Sequence, residues 1–260
     1  MIRPATSTSL SNMKNPKFAF LGTSVDSTFA LEALKNVGLE PAMVIDTKEF
    51  PDELINTDWD FLLVCSFGKI LPKAILDLPK YGCINIHPSL LPRYRGPSPY
   101  VSAILADELT VGVTVMLMEE KMDAGPILAQ ARMEIDEADW PPKGLMLSQM
   151  LFTEGVNLLA ELLPALMEGT LTPQHQNESE ATFTKKFHDT DALIDLSKPR
   201  EAFLKIRAFD KNPRAHFITD KGKRVIVTEA SWKDGDLVIE KVLPEGKKEM
   251  PYAEYLRGQR

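Results

Sequence analysis

The feature that most constrains the fold is a short apolar strand, Cys83–His87, which carries two polar side chains and continues into a proline-rich loop. Because side chains alternate along a strand, Asn85 and His87 share one face with Cys83, and the two isoleucines share the other. An amide and an imidazole are costly to bury without partners, so a functional site is an economical explanation. A turn cap beside an ordinary hydrogen-bonded histidine explains these two residues equally well.

The chain before this strand predicts a parallel sheet. A strand at 17–21, a helix at 26–37 and a strand at 42–45 form a βαβ pattern, and a continuous apolar strand at 61–66 suits the centre of such a sheet. Polar groups at the carboxyl end of a strand lie where open α/β sheets place their chemistry. Only Gly22 marks the first turn, so neither the dinucleotide fingerprint nor a P-loop is present.

Further along the chain, alternating strands at 111–118 and 127–133 flank a loop that contains Asp123 followed by Ala-Gly. This loop suggests a carboxylate held on a tight turn, although turn chemistry by itself would also explain it. A long amphipathic helix is predicted at 145–167, kinked or ended near Pro164.

These patterns predict a Rossmann-like α/β fold with a mostly parallel sheet and flanking helices, followed by a small C-terminal β domain of an abbreviated open-barrel type. We expect a disordered leader at 1–16, an α/β domain at 17–169, a polar linker at 170–190 and the β-rich domain at 191–260. The linker residues Gln174, His175 and Gln176 are interpreted as solvent-exposed. Short strands are expected in the last domain at 216–218, 224–228 and 237–240.

Composition narrows the class of protein. Hydrophobic content of 44% and charged content of 26% suit a globular protein, and no apolar run approaches the ~20 residues of a membrane span. The net charge of −7 is uneven, since 191–260 is slightly basic, but this is a weak signal for a polyanionic partner. Cys65 and Cys83 lie in apolar strands, which predicts reduced buried thiols and a cytoplasmic location. Four scattered histidines predict no metal site.

Several separated motifs resemble those of the folate-dependent formyltransferases. The shared core consists of Asn85-x-His87, Ser89–Pro92 and Asp123-Ala124-Gly125. Other segments are similar, in the same order, to the methionyl-tRNA formyltransferase family: Phe67–Pro72, Leu91–Gly96, Gly112–Met116, Ile206–Phe209 and Gly246–Met250. The similarity spans roughly 17–258, and so many ordered motifs make chance an unlikely explanation.

The resemblance implies transfer of a formyl group from 10-formyltetrahydrofolate to the amino group of methionyl-initiator tRNA, for translation initiation, by a metal-free and monomeric enzyme. Such a transfer passes through a tetrahedral intermediate that carries an oxyanion. Asn85 and His87 would stabilise that charge with an amide N–H and an imidazole N–H, and Asp123 would act as the base.

The resemblance also implies binding residues. Folate contacts are expected from the loop after the strand Cys83–His87, at Ser89, Leu90, Leu91 and Pro92. They are also expected from the segment after the strand at 61–66, at Phe67, Gly68, Ile70 and Leu71. Phosphate contacts with tRNA are expected from a set of basic side chains: Arg93, Arg95, Lys205, Arg207, Lys211 and Arg214.

Two departures from the family keep alternatives open. The connection at 46–60 is short, and its charged residues are acidic except for Lys48, where the family pattern has a longer basic loop near the tRNA acceptor end. The family pattern also has further barrel strands after the region that ends here. A formyltransferase acting on a nucleotide-linked amino sugar or another small amine is therefore an alternative. A folate-binding or RNA-binding module without activity is a third.

Overall fold

The computed structural model describes residues 15–258, so the expected leader at 1–16 lies outside the described residues except for its last two. The described chain divides into two compact units. The first contains the chain up to Pro99, Thr110–Met133 and Ser148–Thr184. The second contains Tyr100–Leu109, Glu134–Leu147 and the chain from Lys185 onward.

A six-stranded sheet forms the framework of the first unit. Its strands are β1 (Phe18–Leu21), β2 (Met43–Ile45), β3 (Phe61–Val64), β4 (Cys83–His87), β5 (Thr110–Leu117) and β6 (Ile127–Glu134). They lie in the order β2-β1-β3-β4-β5-β6; β1 is parallel to β2 and β3, β3 is parallel to β4, and β5 is antiparallel to β4. The predicted Rossmann-like, mostly parallel sheet is confirmed.

The helices up to residue 167 follow the sequence prediction closely. They are α1 (Val25–Asn36), α2 (Asp52–Ile55), α3 (Lys73–Leu76), α4 (Pro99–Leu105) and α5 (Gly144–Met167). Ser24 caps α1, because its side chain accepts a hydrogen bond from the main-chain N–H of Asp26. Helix α5 does not end near Pro164 but continues to Met167, and the carbonyl of Pro164 still accepts from the N–H of Glu168 at 3.0 Å.

Both faces of β4 are buried, although two of its five side chains are polar. Cys83 belongs to a core cluster with Leu62 and Ile75 on one side of the sheet. On the other side α5 approaches so closely that a Cβ on Gly155 would lie 2.4 Å from Cγ2 of Ile86. The face that holds Cys83 is also the face of Asn85 and His87, so these two polar groups are directed away from α5.

Both cysteines are free and buried, which confirms the prediction of unpaired thiols. Burial raises the pKa of Cys83 to about 12 and raises the pKa of Cys65 even further. Thiols of this kind stay protonated and unreactive.

Among the described residues, α5 has the length and hydropathy of a membrane-spanning helix, with a mean hydropathy of 1.3 over its most apolar 18 residues. The prediction that no segment approaches this size was wrong for α5. Half of that window is buried inside the protein, and the central helix of a globular domain has the same features.

The second unit holds a four-stranded antiparallel sheet in the order β10-β9-β8-β7. Its strands are β7 (His216–Ile218), β8 (Arg224–Lys233), β9 (Asp236–Pro244) and β10 (Met250–Pro251), and its helices after residue 185 are α6 (Pro199–Ala208) and α7 (Tyr252–Arg257). The small β unit is confirmed, but β8 and β9 are longer than predicted. They form one hairpin, closed by a turn in which Asp234 and Gly235 both have positive φ.

The polar segment expected to be a linker is in large part a member of the first unit. Residues 170–184 fall within that unit, and their main chain pairs with it. Gln174 and Ile127 exchange two main-chain hydrogen bonds of 2.8 and 2.7 Å, and the N–H of Arg95 donates to the carbonyl of Thr182 at 2.9 Å. Such pairing uses main-chain groups only, so it leaves no apolar periodicity in the sequence.

In the second unit, Asp107 joins two aromatic-rich segments. Its carboxylate accepts two hydrogen bonds from Arg200, of 2.7 and 2.9 Å, and one of 2.8 Å from the indole of Trp140. The hydrogen bonds from Arg200 are the main cause that lowers the pKa of Asp107 below its ordinary value.

We expect Gly155→Ala to lower the free energy of unfolding by about 1–3 kcal/mol, because the new methyl group would overlap Ile86 and Val113. Urea denaturation measures this. Asn157→Ala, an exposed change on the same helix, is the control and should be neutral or slightly stabilising. A stabilised Gly155→Ala protein would contradict the close approach of α5 to β4.

A second prediction concerns acid stability. The carboxyl group of Asp107 has a lowered pKa when folded, so it stabilises the protein above the unfolded pKa of about 3.9, and this is lost as pH falls through the folded value. Asp107→Asn should therefore cost up to about 1 kcal/mol at pH 7, a modest figure because the pair is partly exposed. The difference from the unsubstituted protein should vanish in acid, as measured by denaturation at several pH values. Arg200→Met should flatten the acid dependence in the same way.

Candidate active site

The predicted polar pair lies at the carboxyl end of β4, in the middle of the sheet. Asn85 is 9% exposed and His87 is 4% exposed. In register, Asn85 lies between Val64 of β3 and Met116 of β5, so apolar neighbours flank it on both sides. Within residues 15–258 the amide of Asn85 forms no side-chain hydrogen bond to the protein. Its N–H groups are therefore free to bind a ligand atom.

The imidazole of His87 is oriented by a main-chain carbonyl. Its Nε2 lies 3.0 Å from the oxygen of Tyr94, and a carbonyl oxygen can only accept, so Nε2 carries a proton. The other ring nitrogen, Nδ1, lies 3.8 Å from Oδ1 of Asp123. With Nε2 committed, Nδ1 can donate a hydrogen bond only when the ring is the charged imidazolium.

Asp123 reaches this place from a turn between β5 and β6. Its backbone has a φ of +51°, in the left-handed region. The N–H of Gly96 donates to Oδ2 at 2.7 Å, which leaves Oδ1 facing the imidazole. The side chain is 15% exposed, so it is sheltered but still open to a ligand. Gly96 cannot be replaced easily, since its φ is +111° and a Cβ would lie 2.8 Å from Oγ1 of Thr184.

The three predicted catalytic side chains therefore converge. Asn85 and His87 are two residues apart on one strand, roughly 6–7 Å along it, and Asp123 contributes its carboxylate from another segment. The arrangement offers an amide donor, an imidazole that an acid can hold in the charged form, and a carboxylate that can accept a proton. In the part of the chain that the structure describes, no cluster of three His, Cys, Asp or Glu residues could hold a metal ion.

Two residues that were not predicted as site residues, Thr114 and Gln130, form hydrogen bonds to the loop after β4. The hydroxyl of Thr114 donates to the carbonyl of Ser89 at 2.6 Å and accepts from the N–H of Leu91 at 3.1 Å. The amide of Gln130 donates to the oxygens of both Leu91 and Thr114 at 2.8 Å. Thr114 is fully buried in β5, a position that an apolar residue would ordinarily occupy. These bonds fix the segment in which four of the predicted folate residues lie.

The predicted folate residues between Phe67 and Leu71 differ in burial. Phe67 and Leu71 belong to the core cluster of the first unit, so their side chains are committed to packing. Gly68 is exposed and Ile70 is 75% exposed, which leaves them accessible. The main chain here is positioned by Thr23, whose hydroxyl donates to the carbonyl of Phe67 at 2.7 Å.

For one predicted tRNA contact the structure gives a correction. The side chain of Arg95 is completely buried, and its guanidinium donates to Gln176 and Glu178 in the same unit. A guanidinium that is buried and paired in this way is not displayed to a phosphate. Arg93 is exposed, with its guanidinium 5.2 Å from the ring centre of Tyr94, and its phosphate role stays a prediction.

The basic side chains of the second unit that are predicted to contact phosphate differ in their burial and in their hydrogen bonds within the protein. The guanidinium of Arg207 is partly buried, and it donates to the carbonyl of Pro141 at 2.8 Å. The ammonium of Lys205 donates to the carbonyl of Leu193 at 2.9 Å. Arg207 is therefore largely used within its own unit. Lys211 and Arg214 are partly exposed, and their phosphate role stays a prediction.

Gln176 was interpreted as an exposed linker residue, and this interpretation was wrong. Its amide nitrogen donates to the carbonyls of Asp123 and Gly125, both at 2.8 Å. Its oxygen accepts from Arg95 at 2.8 and 3.0 Å. No pattern in the sequence marks this residue, because its partners are main-chain carbonyls and one arginine from distant segments.

Comparison with known proteins identifies the family of the chain. A sequence profile of the formyl transferase family matches residues 14–147. The methionyl-tRNA formyltransferase of Bacillus licheniformis is 35% identical over 245 residues, which cover 85% of this chain and 76% of that protein.

Solved structures share the fold. Methionyl-tRNA formyltransferase from Clostridium thermocellum superimposes with a TM-score of 0.64 at 22% identity, over 88% of this chain and 98% of that one. HypX from Aquifex aeolicus, in complex with tetrahydrofolic acid, has a TM-score of 0.72 at 19% identity, over 94% of this chain and 47% of that one. On the family profile and the extent of the sequence match, the chain belongs to the formyl transferase family, in the group of the methionyl-tRNA formyltransferases.

Proposed function

We propose that this protein transfers a formyl group from 10-formyltetrahydrofolate to the amino group of methionyl-initiator tRNA. The observation that carries the proposal is the carboxylate of Asp123, 3.8 Å from Nδ1 of His87 on the same strand as the unpaired amide of Asn85. Membership of the methionyl-tRNA formyltransferase group supports the choice of donor and acceptor.

The reaction begins when the amine attacks the formyl carbon, and the carbonyl oxygen becomes an oxyanion. In the proposed mechanism, the amide N–H of Asn85 and the Nδ1–H of a charged His87 donate hydrogen bonds to that oxygen. Donors fixed on a β-strand need no rearrangement as the charge develops, so they stabilise the transition state more than the substrate. The hydrogen bond from Nε2 to Tyr94 directs Nδ1 toward the reacting group.

Proton transfer falls to the carboxylate. The attacking ammonium must lose a proton before or during attack, and Asp123 accepts it directly or through a water. The intermediate then collapses and the bond from the formyl carbon to the folate nitrogen breaks. That nitrogen gains a proton from the carboxyl group of Asp123, directly or through a water. An ionised Asp123 also stabilises the imidazolium of His87. No covalent intermediate with the protein is required.

The proposed folate site is the segment from Ser89 to Pro92 with the accessible residues Gly68 and Ile70. The turn at Ser89 is closed by its own hydroxyl, which donates to the carbonyl of Arg93 at 2.8 Å. A loop held this firmly by internal hydrogen bonds presents its free main-chain groups in a fixed arrangement, which suits binding of a flat heterocycle by hydrogen bonds.

An amino-sugar nucleotide is the second candidate acceptor. The observation that favours it is the short acidic connection between β2 and β3, which contains α2 and only one lysine, Lys48. A surface of this composition offers little attraction to the many phosphates of a tRNA acceptor end, whereas a nucleotide-linked sugar carries only a few phosphates. The similarity to methionyl-tRNA formyltransferases continues into the second unit. This favours methionyl-initiator tRNA as the acceptor.

We expect the protein to formylate methionyl-initiator tRNA when it is incubated with 10-formyltetrahydrofolate. Mass spectrometry of the amino acid released from the tRNA detects the formyl group. Parallel reactions with an amino-sugar nucleotide test the second acceptor. Transfer to the sugar alone would reject the tRNA assignment, and transfer to neither would reject formyl transfer.

Removing the base while keeping its shape should abolish most activity. Asp123→Asn retains an acceptor for the N–H of Gly96, so we expect folate binding to persist while kcat falls by about 10²–10⁴. Asn85→Ala should lower kcat by about 10²–10³. Single-turnover kinetics and equilibrium folate titration measure the two effects. Normal turnover by Asp123→Asn would show that another group is the base; exposed Asp220→Asn and Asn157→Ala are the matched controls.

A further inference from the structure

One side chain links the turn that carries Asp123 to a buried arginine. The amide of Gln176 donates two hydrogen bonds of 2.8 Å, to the carbonyls of Asp123 and Gly125, and accepts two from Arg95. All four hydrogen bonds that one amide oxygen and one NH₂ group ordinarily form are therefore made within the protein.

The orientation of this amide is fixed by its partners. A guanidinium can only donate, so the oxygen of Gln176 must face Arg95 and its nitrogen must face the two carbonyls. Arg95 is itself immobilised, because its side chain is fully buried and its Nη2 also donates to Glu178 at 2.9 Å. Glu178 is held in turn by Lys121, which precedes Asp123 by two residues. Hydrogen bonds from Arg95 and then Lys121 lower the pKa of Glu178 to about 2.

The turn needs such support. Asp123 has a positive φ, which is unfavourable for residues other than glycine. Among the described residues, its main-chain carbonyl accepts a hydrogen bond only from Gln176. Gly125 is packed so tightly that a Cβ would lie 1.9 Å from the carbonyl oxygen of Leu117. A main chain in this conformation keeps its place only when its polar groups are satisfied.

The segment that carries Gln176 also holds the other side of the site. The hydroxyl of Thr182 accepts from the N–H of Tyr94 at 2.8 Å, and Tyr94 is the residue whose carbonyl orients His87. The N–H of Thr184 donates to the carbonyl of Arg95 at 2.7 Å, next to Gly96. The span from 174 to 184, here called the strap, is thus hydrogen-bonded to both the turn that carries Asp123 and the loop from Tyr94 to Gly96.

We propose that Gln176 is a positioning residue for formyl transfer: it holds the Asp123 turn, and through it the carboxylate, in reach of His87 and the attacking amine. This inference rests on the proposed function of Asp123. Gln176 itself touches neither substrate nor reacting atoms, and it acts only through the main chain of the turn.

Two glutamine-to-glutamate variants separate this role from simple pairing of Arg95. In Gln176→Glu the carboxylate still accepts from Arg95, but it cannot donate to the carbonyls of Asp123 and Gly125 and instead repels them. Gln174→Glu is the matched control, because Gln174 is exposed and contributes its main chain to the strap. Both variants introduce the same charge into the same segment.

For Gln176→Glu we expect kcat with methionyl-initiator tRNA to fall by about 10- to 100-fold, as for a catalytic group displaced by about 1 Å. The KM for 10-formyltetrahydrofolate should stay within about threefold, because the folate loop is untouched. Gln174→Glu should retain both constants within about twofold. If Gln176 served only to pair Arg95, the Gln176→Glu protein would keep its kcat, and the inference would be overturned.

A second measurement does not depend on activity. The N–H of Gly96 donates to Asp123, so displacement of the carboxylate exposes it to exchange. Hydrogen–deuterium exchange at Gly96 should be at least about tenfold faster in Gln176→Glu and unchanged in Gln174→Glu. Unchanged protection in both would overturn the inference. If the unsubstituted protein formylates no acceptor, the proposed function fails, and the Gly96 exchange decides by itself whether Gln176 holds the turn.

Discussion

The contact between the imidazole of His87 and the carboxylate of Asp123 is the constraint on which the rest of the site depends. The two residues come from different parts of the sheet, and their 3.8 Å separation exists only while each is held by the main chain of another loop. The carbonyl of Tyr94 fixes one ring nitrogen, and the N–H of Gly96 fixes one carboxylate oxygen. A single short loop, from Tyr94 to Gly96, therefore sets both halves of the contact.

Loops that stand at the end of a sheet carry many polar main-chain groups, and burial requires that each be satisfied. Here the partners are supplied by side chains from neighbouring strands and from the 174–184 strap. Thr114 and Gln130 donate to or accept from the segment proposed to bind folate, and Gln176 donates to the turn that carries Asp123. These hydrogen bonds hold the loops of the site in place, and donors held in place are what oxyanion stabilisation needs.

The sheet was predictable from local sequence because burial on both faces demands continuous apolar strands, as at Phe61–Val64, and alternation assigns Asn85 and His87 to one face. The limits of prediction lie where tertiary contacts override local signals. Pro164 does not end α5, which continues to Met167. Strands β8 and β9 extend further than their apolar cores suggest, because hairpin pairing continues through polar residues.

The sequence by itself determined the residue types that do chemistry and the strand end where they lie, since period-2 alternation and the cost of burying polar groups are local properties. Only the tertiary structure decided which of them meet. Asp123 reaches His87 through a turn of unusual φ, Arg95 turns inward to Gln176 rather than outward to phosphate, and a segment without periodicity becomes the strap. These outcomes depend on hydrogen bonds between segments far apart in the sequence, many of them to main-chain groups, and no local pattern in the sequence shows which segments will meet.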